Sequence, residues 1–151
     1  MITSNLDTTR VAIIGPGRLG TSFAYKFGRD NKRVAIYYHD SEVCKAINRD
    51  HLNPLHLTED LAKRLGGMES VPRLSPKVYA TNDLEHIVEN NDFIILAITM
   101  NRLPELLNYL KPMIDKKAGD TCLVSPIKGL ISDEISKELI TPSQLINSNL
   151  Y

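Results

Sequence analysis

The stretch Arg10-Val-Ala-Ile-Ile-Gly15-Pro-Gly17-Arg-Leu-Gly20-Thr-Ser-Phe-Ala24 decides the fold of this chain. An apolar segment, Val11 to Ile14, reads as a buried strand; a Gly-x-Gly-x-x-Gly turn follows, and a helical pattern comes after it. An acid, Asp40, stands about 20 residues past the last glycine, where a dinucleotide-binding unit places its ribose contact. The combination predicts a dinucleotide site. The alternative is a glycine-rich strand-to-helix turn that holds no nucleotide.

Each glycine has its own task in such a turn. Gly15 allows the tight exit from the strand, Gly17 leaves room for a pyrophosphate at the backbone, and Gly20 lets the helix approach the strand. The pyrophosphate then rests on the N-terminus of a helix beginning near Arg18, where unpaired N–H groups and the helix dipole favour negative charge. Pro16 departs from the small residues usual between the first two glycines, because it stiffens φ and removes a donor. The turn is expected to tolerate it.

Outward from this turn, a helix is expected over Thr21 to Arg29 and a second strand over Arg33 to Tyr38, ending at His39-Asp40, which closes a βαβ unit. Ser41 is expected to cap the next helix, with Val43, Ala46 and Ile47 at helical spacing. Residues 52–75 hold Pro54, Gly66-Gly67 and Pro72 and form an irregular excursion, with a short helix over Thr58 to Leu65. A strand over Lys77 to Ala80 precedes Asn82 and Glu85, spaced as a capping box. The run Asp92-Phe-Ile-Ile-Leu-Ala-Ile98 is apolar enough to be buried on both faces in the middle of a parallel sheet.

A helix from Leu103 to Ile114 carries Leu103, Leu106, Leu107, Leu110 and Ile114 on one face, with Gly119 as its stop. The strand Thr121 to Val124 and the turn Ser125-Pro-Ile-Lys-Gly129 come next. A helix capped by Ser132, with Asp133 and Glu134 in its first turn, and a sixth strand over Ser143 to Ile146 complete the pattern. Strands alternating with helices predict an α/β fold with a doubly wound parallel sheet, Rossmann-like, in one dinucleotide-binding domain over residues 1–151.

Composition narrows the function. The 18 basic and 18 acidic residues cancel, and no basic stripe with interleaved aromatics is present, so nucleic acid is not an expected partner. Cys44 and Cys122 lack metal-type spacing and read as reduced thiols in or near the core of a cytoplasmic protein. No apolar run approaches the roughly 18 residues that span a bilayer, and the polar start is no signal peptide, so no membrane contact is expected. His39, His51, His56 and His86 lack the HExxH spacing, and no metal is expected. Ser125 and Lys128 stand three apart on a loop holding Pro126 and Gly129 rather than at a helix start, which disfavours a serine nucleophile.

Five separated stretches resemble one family, the soluble NAD(P)-dependent glycerol-3-phosphate dehydrogenases, in their N-terminal domain. They are Gly15 to Ala24; Tyr37-Tyr-His-Asp-Ser-Glu42; Ile47-Asn-Arg-Asp-His-Leu-Asn53; Leu74-Ser-Pro-Lys-Val-Tyr-Ala-Thr-Asn-Asp-Leu84; and Ile127-Lys-Gly-Leu130. The resemblance implies NAD or NADP as cofactor and a phosphorylated small-molecule substrate, with dihydroxyacetone phosphate reduced to glycerol 3-phosphate. Cofactor contacts are expected from Gly15, Pro16, Gly17, Arg18, Leu19 and Gly20, the resemblance placing Arg18 and Leu19 along the cofactor. His39 takes the position where many bacterial members bind NADPH, whereas an acid at that strand tip, here Asp40, favours the free 2′-hydroxyl of NAD. The pair leaves NAD and NADP both open.

The resemblance further assigns Lys128 to cofactor and substrate, as the catalytic residue of this domain. A lysine at the carboxyl end of a parallel strand can neutralise a phosphate or polarise a carbonyl; a solvated loop lysine is the alternative. Three departures bear on this. Thr99-Met100 stands where the family has Pro followed by Ser or His, the turn of Tyr-Leu-Pro-Gly type after Asn53 is missing, and the family's helical C-terminal domain is absent before the end at Tyr151. That domain brings a general-acid lysine and the groups that hold the substrate phosphate, so residues 1–151 alone are expected to bind cofactor with little turnover. A homodimer or another chain supplying the helical half is the expected partner. The competing readings are a stand-alone, non-catalytic NAD(P)-binding module and a ketopantoate reductase-like relative, against which the Ile-Lys-Gly-Leu match counts.

Overall fold

A computed structural model describes residues 9–30, 32–56, 59–132 and 137–151. Its centre is β1 (Val11–Ile14), every residue of which is buried, because it is hydrogen-bonded on both edges and packed on both faces. On one edge lies β2 (Val34–Tyr37), in register from Val11 opposite Val34, and outside it β3 (Val78–Thr81). On the other edge lies β4 (Phe93–Leu96), followed by β5 (Cys122–Val124). All pairs are parallel, in the order β3-β2-β1-β4-β5. The run read as the middle strand is therefore interior but one place from the centre, which β1 occupies.

Side-chain alternation divides the core into two layers. Val11, Ile13, Val34, Ile36 and Ile95 pack with Ala24 of α1 (Arg18–Arg29) and with Val43 and Ile47 of α2 (Ser41–Asp50). Ala12, Ile14, Ala35, Ile94 and Leu96 face α4 (Leu84–Asn90) and α5 (Leu103–Lys116), with Leu103, Leu107 and Leu110 fully buried. The leucine face read for α5 is thus the buried one, with Leu106 and Ile114 half-buried at its margin. The excursion contains α3 (Glu59–Arg64) and one 3-10 turn (Met68–Ser70), and it closes on itself: the Leu74 N–H donates to the His51 carbonyl at 2.8 Å. Thr58, the expected start of α3, lies outside the described residues.

Several expectations are corrected. Asp40, not Ser41, caps α2, accepting from the N–H of Glu42 at 2.8 Å and of Val43 at 3.4 Å; its backbone is extended while Ser41 is already helical, and a carboxylate suits the positive helix end. Likewise Asp83, one residue beyond Asn82, caps α4 through the His86 N–H. Ser143 to Ile146 is not a strand but lies in α6 (Pro142–Leu150). There Pro142 suits the first turn, Thr141 and Gln144 form a capping box, and Leu145, Ile146 and Leu150 reach the core. Ser132, expected as a helix cap, lies in β6 (Ile131–Ser132), antiparallel to β7 (Leu139–Ile140), and the first turn expected after it, Asp133 and Glu134, lies outside the described residues. Cys122 is exposed rather than near the core, because it opens the edge strand β5; Cys44 is buried. Among the described residues, no helix is long and apolar enough to cross a membrane.

Candidate cofactor site

The strands on either side of β1 carry the chain in opposite directions around the sheet, so a crevice opens beyond the carboxyl ends of β1 and β4. Three strand exits meet there. The Gly15 N–H donates to the Tyr37 carbonyl at 3.2 Å, and the Ala97 N–H to the Ile14 carbonyl at 2.9 Å. Gly15 has φ +107°, which disfavours any side chain, and a Cβ on it would stand 2.5 Å from the Ala97 oxygen. A Cβ on Gly20 would lie 2.0 Å from the Gly15 oxygen, so both glycines are demanded by the packing of the chain itself.

Gly17 is different. It adopts φ −63° and ψ 178°, open to any residue, and the nearest atom to a Cβ there is the Ala97 oxygen at 3.9 Å. No contact within the chain requires it to be glycine. It is also the N-cap of α1, where no side chain caps and no acid occupies the first turn, whereas α2, α4 and α6 are capped by Asp40, Asp83 and Thr141. The first intrahelical bond runs from the Thr21 N–H to the Gly17 oxygen at 2.8 Å, which leaves the N–H groups of Arg18, Leu19 and Gly20 outside the helical ladder. Unmatched donors at the positive end of a helix suit a phosphate. Pro16 is buried behind the turn, while Arg18 and Leu19 are exposed at its mouth.

His39 and Asp40 follow β2, both exposed. The His39 ring leans on Tyr38, with centroids 4.3 Å apart, and the Asp40 carboxylate is engaged at the start of α2. Burial raises the Tyr37 hydroxyl above its ordinary range, with smaller contributions from Cys44 and Tyr109. Burial likewise pushes the Cys44 thiol up, against the hydrogen bond from its Sγ to the Tyr38 carbonyl at 3.4 Å. Both groups stay uncharged at neutral pH. On the other side of the crevice the Thr99 hydroxyl donates to the Asn101 Oδ1 at 2.6 Å, so this donor is spent within its own loop. Lys128 is exposed in the loop after β5, and its neighbour Gly129 (φ +111°) abuts the Met100 methyl, so the loops after β4 and β5 touch. Ser125, on the same loop, has a buried Oγ with no hydrogen-bond partner among the described residues.

Two side chains support this region that the motif reading did not single out. Asn48 bonds the Ala80 backbone twice, at 2.8 and 2.7 Å, fastening α2 to β3. Asn53, fully buried, reaches the Pro16 carbonyl at 2.7 Å. Both belong to the stretch Ile47 to Asn53, but their partners lie more than thirty residues away in sequence. A cavity of about 640 Å³ lies at the opposite end of the sheet, lined by Arg10, Arg33, Lys77, Tyr79, His86 and Asn90 among others, away from the glycine turn.

Residues 10–150 match the family described as NAD-dependent glycerol-3-phosphate dehydrogenase N-terminus. The chain belongs to this family. It is 25% identical over 143 residues to glycerol-3-phosphate dehydrogenase [NAD(P)+] 1 of Lactobacillus delbrueckii subsp. bulgaricus, covering 95% of this chain and 38% of the relative. It is 28% identical over 137 residues to the corresponding enzyme of Acinetobacter baylyi, covering 86% of this chain and 34% of that one. The chain thus spans just over a third of the length of these curated relatives. Its fold is that of the glycerol-3-phosphate dehydrogenase of Coxiella burnetii, with a TM-score of 0.72 at 18% identity over 94% of this chain and 38% of the other. The enzyme from Saccharomyces cerevisiae aligns equally well, with a TM-score of 0.72 at 21% identity, 94% of this chain and 39% of that one. A ketopantoate reductase-like protein from Ralstonia solanacearum aligns with a TM-score of 0.57 over 82% of this chain, so the broader fold is shared with other reductases.

Proposed function

We propose that the chain, acting over residues 1–151 as one dinucleotide-binding domain, binds NAD(H) or NADP(H) at the Gly15–Gly20 turn. It would thereby serve as the cofactor half of a glycerol-3-phosphate dehydrogenase. The observation that carries this reading is Gly17: a Cβ there would meet nothing nearer than the Ala97 oxygen at 3.9 Å, no internal contact requires glycine, and it stands at the uncapped N-terminus of α1 at the switch point of the sheet. In this reading Gly17, Arg18, Leu19 and Gly20 offer their N–H groups to the pyrophosphate, and Leu19, an exposed apolar side chain, lies along the cofactor. His39 and Asp40 stand at the ribose end, where His39 meets a 2′-phosphate or Asp40 a 2′-hydroxyl.

When bound, the reduced nicotinamide would supply the hydride that reduces the carbonyl of dihydroxyacetone phosphate, a phosphorylated small molecule, while the carbonyl oxygen would take its proton from water. Lys128 lies on the carboxyl-edge loop that touches Met100, and its charge serves to hold an anionic substrate or to polarise the carbonyl oxygen. The proposed setting is the cytoplasm, supported by the two free thiols Cys44 and Cys122. The proposed partners are a second copy of this chain, in a homodimer, and a helical substrate domain of the family's kind.

The test is a pair of measurements on residues 1–151. Calorimetric titration should give saturable binding of NADH or NADPH. Oxidation of NADH by dihydroxyacetone phosphate should be slow, since only Lys128 is assigned to the substrate and a placed general acid contributes about 10²–10⁴-fold. Absence of affinity for both cofactors in folded protein overturns the reading.

A further inference from the structure

A polar knot lies beneath the glycine turn. Asn53 is 0% exposed, and its Nδ2 donates to the Pro16 carbonyl at 2.7 Å and to the Thr21 hydroxyl oxygen at 2.8 Å. The Thr21 hydroxyl in turn donates to the Pro16 carbonyl at 3.2 Å. On the far side, the Asn53 Oδ1 accepts from the Leu55 N–H at 3.0 Å, which fixes which way the amide faces. One buried carbonyl thus receives two side-chain donors, one from α1 and one from the mouth of the excursion.

The consequence follows from the geometry of a single peptide unit. Among the described residues no peptide bond is cis, so the Pro16 carbonyl and the Gly17 N–H point in opposite directions across one plane. Holding the oxygen toward Asn53 therefore aims the Gly17 N–H to the other side. Gly17, without a Cβ, is the joint at which this plane turns over most cheaply, and a turned plane would present an oxygen, not an N–H, on the side where the N–H now points.

We propose that Asn53 is a positioning residue for the pyrophosphate: through the Pro16 carbonyl it fixes the direction of the Gly17 N–H, and so sets affinity for NADH and NADPH alike while touching neither. The role rests on the cofactor site proposed above. It also gives the excursion a task, since residues 51 and 74 are bonded to each other and hold Asn53 at its base.

Asn53→Asp tests this, because it keeps the acceptor for the Leu55 N–H and removes the donor to Pro16. Residual dipolar couplings in the unliganded protein should show the Gly17 N–H reoriented, and Kd for NADH and for NADPH should rise by the same factor, about tenfold, the loss of one directed hydrogen bond. Thr21→Val should do the same more weakly, and Thr21→Ser should restore wild-type values. If Asn53→Asp does not fold, Thr21→Val judged against Thr21→Ser carries the same readouts. An unchanged Gly17 vector overturns the role, including the case where affinity falls only together with Tm; so does binding within twofold of wild type. Wild-type protein that binds neither cofactor overturns the site itself, an outcome distinct from wild type and Asn53→Asp binding equally, which removes the clamp alone.

Discussion

Gly17 and Gly20 sit three residues apart in one motif, yet the structure assigns them opposite consequences on substitution. In Gly17→Val the backbone at φ −63° accepts a branched residue, and the new Cβ meets nothing nearer than 3.9 Å. Replacing a glycine N-cap with an apolar residue costs about 0.5–1 kcal/mol, a drop of roughly 1–4 °C in Tm for a domain of this size. In the proposed site the same side chain would take the room that glycine leaves for the pyrophosphate at the start of α1. Loss of one charge-assisted hydrogen bond to a phosphate is worth about 1.5–3 kcal/mol, so Kd for NADH should rise roughly ten- to hundredfold. In Gly20→Ala the added methyl meets the Gly15 oxygen at 2.0 Å, backbone that cannot swing aside, and overpacking of this kind costs about 1–3 kcal/mol or more in stability. Thermal melts and NADH fluorescence titrations on both variants separate the two effects. A folded Gly17→Val protein with wild-type affinity would refute the placement of the pyrophosphate.

His39→Asp should weaken NADPH relative to NADH by about fivefold, a modest ratio because the side chain is exposed and screened; equal changes in both Kd values would show that His39 does not read the 2′ position. The thiols should separate under iodoacetamide at neutral pH, with Cys122 alkylated promptly and Cys44, 5% exposed and with its pKa raised by burial, protected until the protein unfolds; mass spectrometry of partial digests reads the result, and modification of Cys44 first would contradict the burial. Arg10 hydrogen-bonds Asp92 across 3.0 Å and holds that carboxyl below its ordinary range. A lowered folded pKa stabilises above the unfolded value near 3.9, and the gain is lost as pH falls through the folded value. Both side chains are about half exposed, so Arg10→Gln should lower the urea midpoint only slightly at pH 6 and not at all near pH 2, and a difference that persists in acid would contradict the pairing.

What the sequence reveals here depends on how local the physics is. The unit β1–turn–α1 is legible because strand burial, glycine spacing and helix start all lie within a stretch of fifteen residues, each enforcing the next. The α5 face is legible for the same reason. Caps are harder: Asp40 beside Ser41 and Asp83 beside Asn82 are equally good cap residues, and only backbone conformation chooses between them. In α6 a window of four residues is too short to show the helical period, and the signal lay in Thr141-Pro142 just before it. Cys122 looked buried because strands of a parallel sheet usually are, but its strand is the edge. Asn53 could not be assigned from spacing at all, since it acts on Pro16 across the fold. Within the candidate site, the spacing identifies the glycines, while the difference in kind between Gly17 and Gly20 requires the surrounding atoms.

The central claim, that this chain holds a dinucleotide at the carboxyl edge of its sheet, is tested most directly by titrating isotopically labelled protein with NADH and NADPH and following the backbone amides by NMR. The account predicts saturable shifts concentrated at Gly15, Gly17, Arg18, Leu19 and Gly20 and at His39, with Arg10, Arg33 and Lys77 at the opposite end of the strands unmoved. Shifts centred on those three basic residues and their 640 Å³ cavity, or no saturable shifts at all, would contradict it.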